Sequence, residues 1–453
     1  MPFKEECGVF GVYNSPDAAA LTVLGLHALQ HRGQEAAGII SYDGDFHIEK
    51  TQGLVGDHFN RKSVVEKLTG NAAIGHTRYS TSGEYNSLNN VQPMFAEFDR
   101  GGFAIAHNGN LTNQKKLRRE LIESGALFYS SSDTEIFIHL MARSQAKTVV
   151  ERFQDALNQT QGAFSIVAVT TKKMIGARDP NGFRPLSLGY HNGAYFLSSE
   201  TCAFDITGAD FVRDVEPGEI VVITEDGVES IKYADRARHF CIFEFVYFSR
   251  PDSVIDDKNV HEVRKQIGRE LASEHMVDAD LVVPVPDSGI PAAMGYSQQS
   301  KIPYDLGITR NHYVGRTFIE PEDHVRHLGV KMKHNANASV LRDQRVALID
   351  DSIVRGTTSR KLVDMIRNAG AREIHLLIAS PPTINSCYYG VDTPTKTELI
   401  ANNMSVDEMC EYIGADSLNF LSIQGMHRAV KMNGMCDACF SNNYPIQIFD
   451  NEN

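Results

Sequence analysis

Residues 346–361 read V-A-L-I-D-D-S-I-V-R-G-T-T-S-R-K. Val346 to Ile349 is an uninterrupted apolar run, the pattern of a strand buried on both faces in a parallel sheet. Two adjacent carboxylates follow, Asp350 and Asp351, and then Ser352. Next comes a small, polar, glycine-bearing loop, Arg355-Gly356-Thr357-Thr358-Ser359. A helix pattern begins there, with Leu362, Met365 and Ile366 at helical spacing and Gly370 as its stop. Ligands of open α/β sheets bind beyond the carboxyl ends of strands. A helix start carrying Gly and Thr offers N–H groups and hydroxyls to a phosphate. Two carboxylates beside it can hold ribose hydroxyls or a hydrated Mg2+. The stretch therefore predicts a sugar-phosphate site. An isolated Asp-Asp pair would be an ordinary strand–loop–helix corner.

The surrounding chain has 453 residues, too many for one core, so two or more domains are expected. Hydrophobic residues make up 42% and charged residues 22%, which is a globular composition. The net charge of -13 argues against broad nucleic-acid or membrane-surface binding. No apolar run reaches the length of a membrane span, and M-P-F-K-E-E lacks the apolar core of a signal peptide. A cytoplasmic enzyme is expected. Seven cysteines is an odd number, and in a cytosolic chain they are not expected to form disulfides.

The first half carries a cysteine-bearing strand followed by four separated motifs. Cys7-Gly8-Val9-Phe10-Gly11-Val12 reads as a buried strand. His27 to Glu35 reads as a helix ending at Gly33, with Arg32 before it. Ile74 to Thr81 reads as a short strand running into a polar loop that carries Arg78. Phe103 to Leu111 reads as a strand ending in a turn, and its Asn108-Gly109 pair alone fits a type I′ hairpin turn. Ser131-Ser132-Asp133-Thr134-Glu135 then reads as an N-cap and first turn before a helix over 136–142. Further on, 163–170 and 174–177 read as strands, and 178–186 reads as a loop without direct chemistry. Glu216-Pro217-Gly218-Glu219 and Glu225-Asp226-Gly227 read as hairpin turns, with a domain boundary near 231–237.

In this order the first-half motifs resemble the class II glutamine amidotransferases, which use an N-terminal cysteine nucleophile. The resemblance implies an αββα sandwich of the N-terminal-nucleophile hydrolase type over residues 7–235. It implies that Cys7 attacks the glutamine amide and that Asn108 and Gly109 bind the oxyanion. Arg78 would pair with the substrate α-carboxylate and Asp133 with its α-ammonium, with Arg32 and Gly33 in the same pocket. Each of these three charges, without the Cys7 motif, reads as a plain surface charge. A free α-amine has a pKa of about 7.7–8.0 and can take the proton of its own residue's thiol. That requires Cys7 to be the first residue of the mature chain, so residues 1–6 are expected to be a propeptide.

The 346–359 stretch resembles the phosphoribosyl pyrophosphate (PRPP) loop of type I phosphoribosyltransferases. This implies a parallel-sheet domain over 236–453. Asp350 and Asp351 would meet ribose and Mg2+, with Ser352 beside them. Arg355, Gly356, Thr357, Thr358 and Ser359 would cradle the 5′-phosphate. Leu281 to Pro286 reads as a strand, and it runs into Asp287-Ser288-Gly289, a compact turn that can present N–H groups to an anion. By resemblance this turn is the pyrophosphate loop, with Ser288 also at Mg2+. Residues 310–335 form a long basic segment that reads either as a solvated loop or as a functional one. By resemblance it is a lid on PRPP, with Arg316 and Lys333 among the contacts.

Nearly the whole chain is similar to the glutamine phosphoribosylpyrophosphate amidotransferase family, in its iron–sulfur, propeptide-processed branch. The implied reaction passes ammonia from Cys7 to PRPP and forms 5-phosphoribosylamine, pyrophosphate and glutamate, the first committed step of purine synthesis. Purine nucleotides are implied as feedback inhibitors and a homotetramer as the assembly. Cys436-Asp437-Ala438-Cys439 is a C-x2-C, and Cys241 and Cys387 complete a set of four thiols suited to Fe–S or Zn2+. The resemblance implies a [4Fe–4S] cluster on these four, with structural Zn2+ as the alternative. Cys202 and Cys410 are left over and are expected to be packed. A sugar-phosphate aminotransferase with the same first half would not need residues 346–359. A nucleotide-binding regulator without catalysis would not need Cys7, Asn108, Asp350 and Asp351.

Overall fold

The structure is a computed structural model that describes residues 7–79, 88–99, 101–311, 334–391 and 393–448. Residues 1–6, most of the expected lid, and both Arg316 and Lys333 lie outside these.

Among the described residues, the first half holds thirteen strands. They are β1 (Gly8–Tyr13), β2 (Ala36–Tyr42), β3 (Phe46–Gln52), β4 (Ala72–Arg78), β5 (Met94–Phe98), β6 (Gly101–Leu111), β7 (Gly162–Thr170), β8 (Met174–Arg178), β9 (Ser187–His191), β10 (Ala194–Ser198), β11 (Asp210–Asp214), β12 (Glu219–Thr224) and β13 (Gly227–Lys232). One sheet has the order β11-β9-β10-β1-β4-β2-β3 and the other β13-β12-β8-β7-β6-β5. Their pairings are antiparallel. Val9, Ile74, Ala104, Ala106, Val167, Leu197 and Val221 meet between the two sheets. The helix Ala18–Ala28 covers the outer face of the first sheet, through Leu26 against Phe10 and Val12. The helices Thr134–Arg143 and Val149–Gln159 cover the second, through Phe137 and Phe153. Helix, sheet, sheet and helix layers result, because strands buried on both faces need an apolar cover on each.

The second half holds a parallel sheet of Leu281–Pro284, Arg345–Asp350, Glu373–Ile378 and Ser417–Phe420, paired in that order. Val346 to Ile349 are fully buried at its centre, as an unbroken apolar run requires. The helix Thr357–Asn368 follows the central strand, and Gly370 ends that turn at φ +100°. The halves meet around Phe183 and Arg184: the Cys241 N–H donates to the Phe183 carbonyl at 3.2 Å, and Arg184 donates to the Tyr389 carbonyl at 2.9 Å.

Four local readings change. The helix of the His27 to Glu35 motif stops at Ala28, a 3-10 turn spans Gln30–Arg32, and Gly33 is extended at φ -156°. Gly33 is no left-handed stop; it is small because a Cβ there would lie 2.6 Å from the Thr77 carbonyl carbon. Asn108-Gly109 is not a turn either, since β6 runs through it and stays paired with β7 from Phe103 to Leu111. Asp133 precedes the helix Thr134–Arg143 but makes no capping bond to it. Finally, Glu216–Glu219 joins β11 in one sheet to β12 in the other, so it is a crossover rather than a hairpin. Glu225-Asp226 does join a hairpin, β12 to β13.

Candidate functional sites

Cys7 sits at the mouth of β1, buried, and its thiol donates to the Tyr79 carbonyl at 3.4 Å. Burial pushes the thiol up to about 11; the Tyr79 bond and the Arg78 guanidinium pull it back, while Asp133 and Glu35 oppose them. At neutral pH the thiol is therefore protonated, and attack needs a base. Arg78 ends β4, whose neighbour Thr77 faces Gly8 across the sheet. Asp133 accepts from the Leu111 N–H at 3.0 Å, which ties it to the end of β6. Cys7, Arg78 and Asp133 thus form one electrostatic group.

Asn108 lies on the same strand, 1% exposed, and neither polar atom of its side-chain amide has a partner. An unpartnered buried amide carries a desolvation cost, of about 1–3 kcal/mol, that a bound ligand can remove. Gly109 has φ +146°, and a Cβ there would lie 2.0 Å from the Ala163 oxygen, so no other residue fits.

Arg32 lies behind Cys7 and is fully buried. Its Nε donates to the Cys7 carbonyl at 3.2 Å. Its other nitrogens donate to Glu200 at 2.5 Å and to Glu244 at 2.8 and 3.0 Å. The guanidinium thus points into a buried ion network, and it reaches the pocket through the Cys7 backbone. Glu244 also accepts from Arg184 at 3.4 Å and from Ser249 at 2.5 Å. Burial pushes the Glu200 carboxyl up, but His31 and Arg32 outweigh it and hold it far below the usual range. Sequence reasoning missed Arg184, Glu200 and Glu244. A signal existed for Glu244, which is the lone charge in F-C-I-F-E-F-V-Y-F.

In the second half, Asp350 and Asp351 stand at the carboxyl end of the central strand. Burial and the neighbouring Asp351 push Asp350 well above the usual carboxylate range. Burial also raises Asp351, although Ser288, Ser352 and Arg264 each draw it down. Ser288 and Ser352 both donate to the Asp351 carboxylate. Gly289 allows this approach, because a Cβ there would lie 2.6 Å from the Ile349 oxygen. Gly356, at φ +72°, opens the helix Thr357–Asn368 with no side-chain cap, so its first N–H groups face the loop. Thr357, Thr358 and Ser359 form its first turn. Two site residues engage other partners: Arg355 donates to Glu398 at 2.8 Å, and Asp287 is paired with Arg310. Oxygen donors on two coupled, raised acids suit a divalent cation, which restores the ionised form.

Cys241, Cys387, Cys436 and Cys439 line one cavity, with Phe183, Arg184 and Tyr389 in its wall. Burial pushes the Cys241 thiol up to about 11 and raises Cys436 and Cys439 well above their ordinary value, and the thiols raise one another. Among the described residues, no group of three or more His, Cys, Asp or Glu side chains is placed to hold a metal ion. Cys202 is buried, and the Cys410 thiol donates to the Ala415 carbonyl at 3.2 Å.

A buried thiol and an unpartnered buried amide in one half, and paired acids at an uncapped helix in the other, define a two-site transferase: a glutaminase joined to a phosphoribosyltransferase. Residues 76–205 match the glutamine amidotransferase domain and 258–399 the phosphoribosyl transferase domain. The chain is 54% identical to an amidophosphoribosyltransferase of Rhizobium etli, over 98% of this chain and 93% of that one. It is 47% identical to the Bacillus subtilis enzyme of the same name, over 98% and 95%. A solved structure of B. subtilis glutamine PRPP amidotransferase, complexed with ADP and GMP, superposes with a TM-score of 0.93 at 46% identity, covering 98% of each chain. The chain belongs to the amidophosphoribosyltransferase family. Among the described residues, no helix is long and apolar enough to cross a membrane.

Proposed function

We propose that Cys7 hydrolyses glutamine and that the ammonia released passes inside the protein to C1 of PRPP, giving 5-phosphoribosylamine, pyrophosphate and glutamate. The unpartnered, buried Asn108 amide, on the strand whose Leu111 N–H donates to Asp133, carries the reading. A group held dry and unpaired at that cost is ready for charge that develops only in the tetrahedral intermediate. Cys7 Sγ bonds to the amide carbon while its proton passes to the α-amine. Asn108 and the Gly109 N–H take the oxyanion; the C–N bond then breaks, the α-ammonium returns its proton to the departing nitrogen, and ammonia leaves as the γ-glutamyl thioester forms. Water then adds to the thioester carbon while the amine takes its proton, the C–S bond breaks, the thiol regains the proton and glutamate leaves. Arg78 and Asp133 hold the α-carboxylate and α-ammonium. Arg32 and Gly33 set the backbone of Cys7 and Arg78.

Because the thiol is raised, the free amine of Cys7 is the base, and residues 1–6 are a propeptide removed at Glu6–Cys7. The glutaminase comprises 7–235 and the phosphoribosyltransferase 236–453. There, Asp287, Ser288 and Gly289 hold pyrophosphate, and Ser352 and Arg355 to Ser359 hold the 5′-phosphate with Asp350 and Asp351 at the ribose. Ser288, Asp350 and Asp351 would hold Mg2+, which supplies charge to the departing pyrophosphate. Arg316 and Lys333 belong to a lid over PRPP.

The four-cysteine cavity takes a [4Fe–4S] cluster. Four cysteines, Cys241, Cys387, Cys436 and Cys439, line it, and four thiolates are the ligand set such a cluster takes. Purine nucleotides inhibit the enzyme, as the nucleotides bound to the B. subtilis relative suggest. The enzyme works in the cytoplasm as a homotetramer. The test is one anaerobic preparation with three readouts: N-terminal sequence, iron with visible absorption, and glutamine-dependent pyrophosphate release from PRPP. A chain starting at Cys7, with about four irons and activity, is expected. An intact N-terminus with activity only on ammonia would overturn the Cys7 and propeptide reading and keep the transferase half.

A further inference from the structure

Four residues join the cysteine cavity to the strand that carries the oxyanion donors. Cys387 lines the cavity, and its sulfur accepts from the Tyr389 N–H at 3.3 Å. The Tyr388 carbonyl accepts from the Asn110 side-chain amide at 3.0 Å. Gly390 lies directly on Gly109: a Cβ at 390 would come within 3.0 Å of Gly109 Cα and 3.1 Å of its carbonyl carbon. Both glycines have positive φ, +102° and +146°.

The segment is held from behind as firmly as it presses in front. The Tyr389 carbonyl accepts two bonds from Arg184, at 2.9 and 2.8 Å, and its ring stacks on Phe183 at 4.4 Å. Its hydroxyl donates to the Ile446 carbonyl at 3.0 Å. Arg184 in turn reaches Glu244 in the buried network behind Cys7. Backbone pressed on backbone, with no side chain between, leaves no rotamer to absorb a shift, so displacement of one segment moves the other.

We propose that Cys387–Gly390 is a positioning strap for the oxyanion hole. It fixes the depth of the Asn108–Gly109–Asn110 backbone, while none of its residues touches substrate. The proposal rests on the reading of Asn108 and Gly109 as the oxyanion donors, and it adds to them Asn110, Tyr388 and Gly390 as positioning residues.

The test compares Gly390→Ala, which inserts a methyl group at the contact, with Asn110→Ala, which removes one hydrogen bond and introduces no clash. Both are made in the full chain and assayed for pyrophosphate release from PRPP with glutamine and with ammonia. Binding of glutamate and of glutamate γ-semialdehyde is measured in parallel. Cys7 adds to the aldehyde: the S–C bond forms, the C=O π bond breaks, and the thiol proton moves to the amine, leaving an oxyanion in the hole. Glutamate forms no adduct. The expected result is a fall in glutamine-dependent kcat of about 10- to 100-fold, with KM and ammonia-dependent activity held within about two-fold. Aldehyde affinity should fall by the same factor as kcat, and glutamate affinity should not. Unchanged kcat and aldehyde affinity in both variants would overturn the strap, as would equal losses for aldehyde and glutamate. Asn108→Ala in the same assays separates the two claims. If it loses aldehyde affinity while both strap variants keep theirs, the strap alone is wrong. If it too keeps its affinity, the oxyanion reading falls and the strap falls with it.

Discussion

The two centres differ in how their charge is balanced. Around Cys7 the buried ions are paired before any substrate arrives: Arg32 lies between Glu200 and Glu244, and Arg184 adds to Glu244. The reacting groups themselves, a protonated thiol and an amide, are neutral. At the phosphoribosyl end, burial raises two neighbouring acids and Asp351 raises Asp350 further, the helix start has no side-chain cap, and Arg355 is turned to Glu398. A neutral amide substrate needs a finished, preorganised site, whereas a polyphosphate with its metal brings the charge that completes an unbalanced one. Substitutions around Cys7 should therefore cost stability as well as turnover, and those around the acids should be felt mainly through PRPP.

The widest separation comes from Cys7→Ala. Removing a nucleophile costs up to about 10^6-fold, so glutamine-dependent product formation should vanish while ammonia-dependent formation persists. Parallel assays with the two nitrogen sources check this, and equal loss of both would erase the division between the centres. Next is Arg32→Met, which leaves two carboxylates in the buried network without their shared partner. Breaking such a pair costs about 3–5 kcal/mol, read as a lowered midpoint in urea unfolding, with glutamine turnover falling as the Cys7 carbonyl loses its anchor. Arg32→Lys should recover little, since one ammonium cannot span both acids.

A pH profile sharpens the same contrast. The Cys7 thiol is raised, so deprotonation is disfavoured at neutral pH, and in a chain blocked ahead of Cys7 its alkylation by iodoacetamide should keep accelerating towards about pH 11. With a free Cys7 amine, glutamine turnover should instead rise through the amine's own range and level off by about pH 8. Coincident profiles for blocked and free chains would remove the amine from its role as base.

Much of both centres was legible because their chemistry is concentrated in short runs. Val346 to Ser359 carries strand, acids, loop and helix start in consecutive residues, and each is where that pattern puts it. The glutaminase half was legible by motif but misread locally. Asn108-Gly109 has the composition of a turn, and what keeps it in a strand is the Ala163 backbone, 55 residues or so away in sequence and invisible to local pattern. Asp133 resembles a cap, but the Leu111 N–H claims its carboxylate. Arg184 was hidden in a loop read as having no direct chemistry, yet it is fully buried between halves. Periodicity reports which face a residue takes, and it cannot report which distant backbone occupies that face.

The smallest effect belongs to the open centre. Arg355 and Glu398 form a pair on the rim, 30% and 46% exposed, in which solvent screens the attraction. Glu398→Gln should leave the unfolding midpoint unmoved, in contrast to Arg32→Met, although both break an arginine–carboxylate contact. Its consequence should appear in binding, because Arg355 would lose its competitor and turn more readily to the 5′-phosphate. The KM for PRPP should fall by about two-fold or less, with glutamine hydrolysis unchanged in the absence of PRPP. Steady-state kinetics at fixed glutamine and varied PRPP checks it. A large fall in stability would mean that this centre is held by internal ion pairs in the manner of the other, and the contrast drawn between them would then be lost.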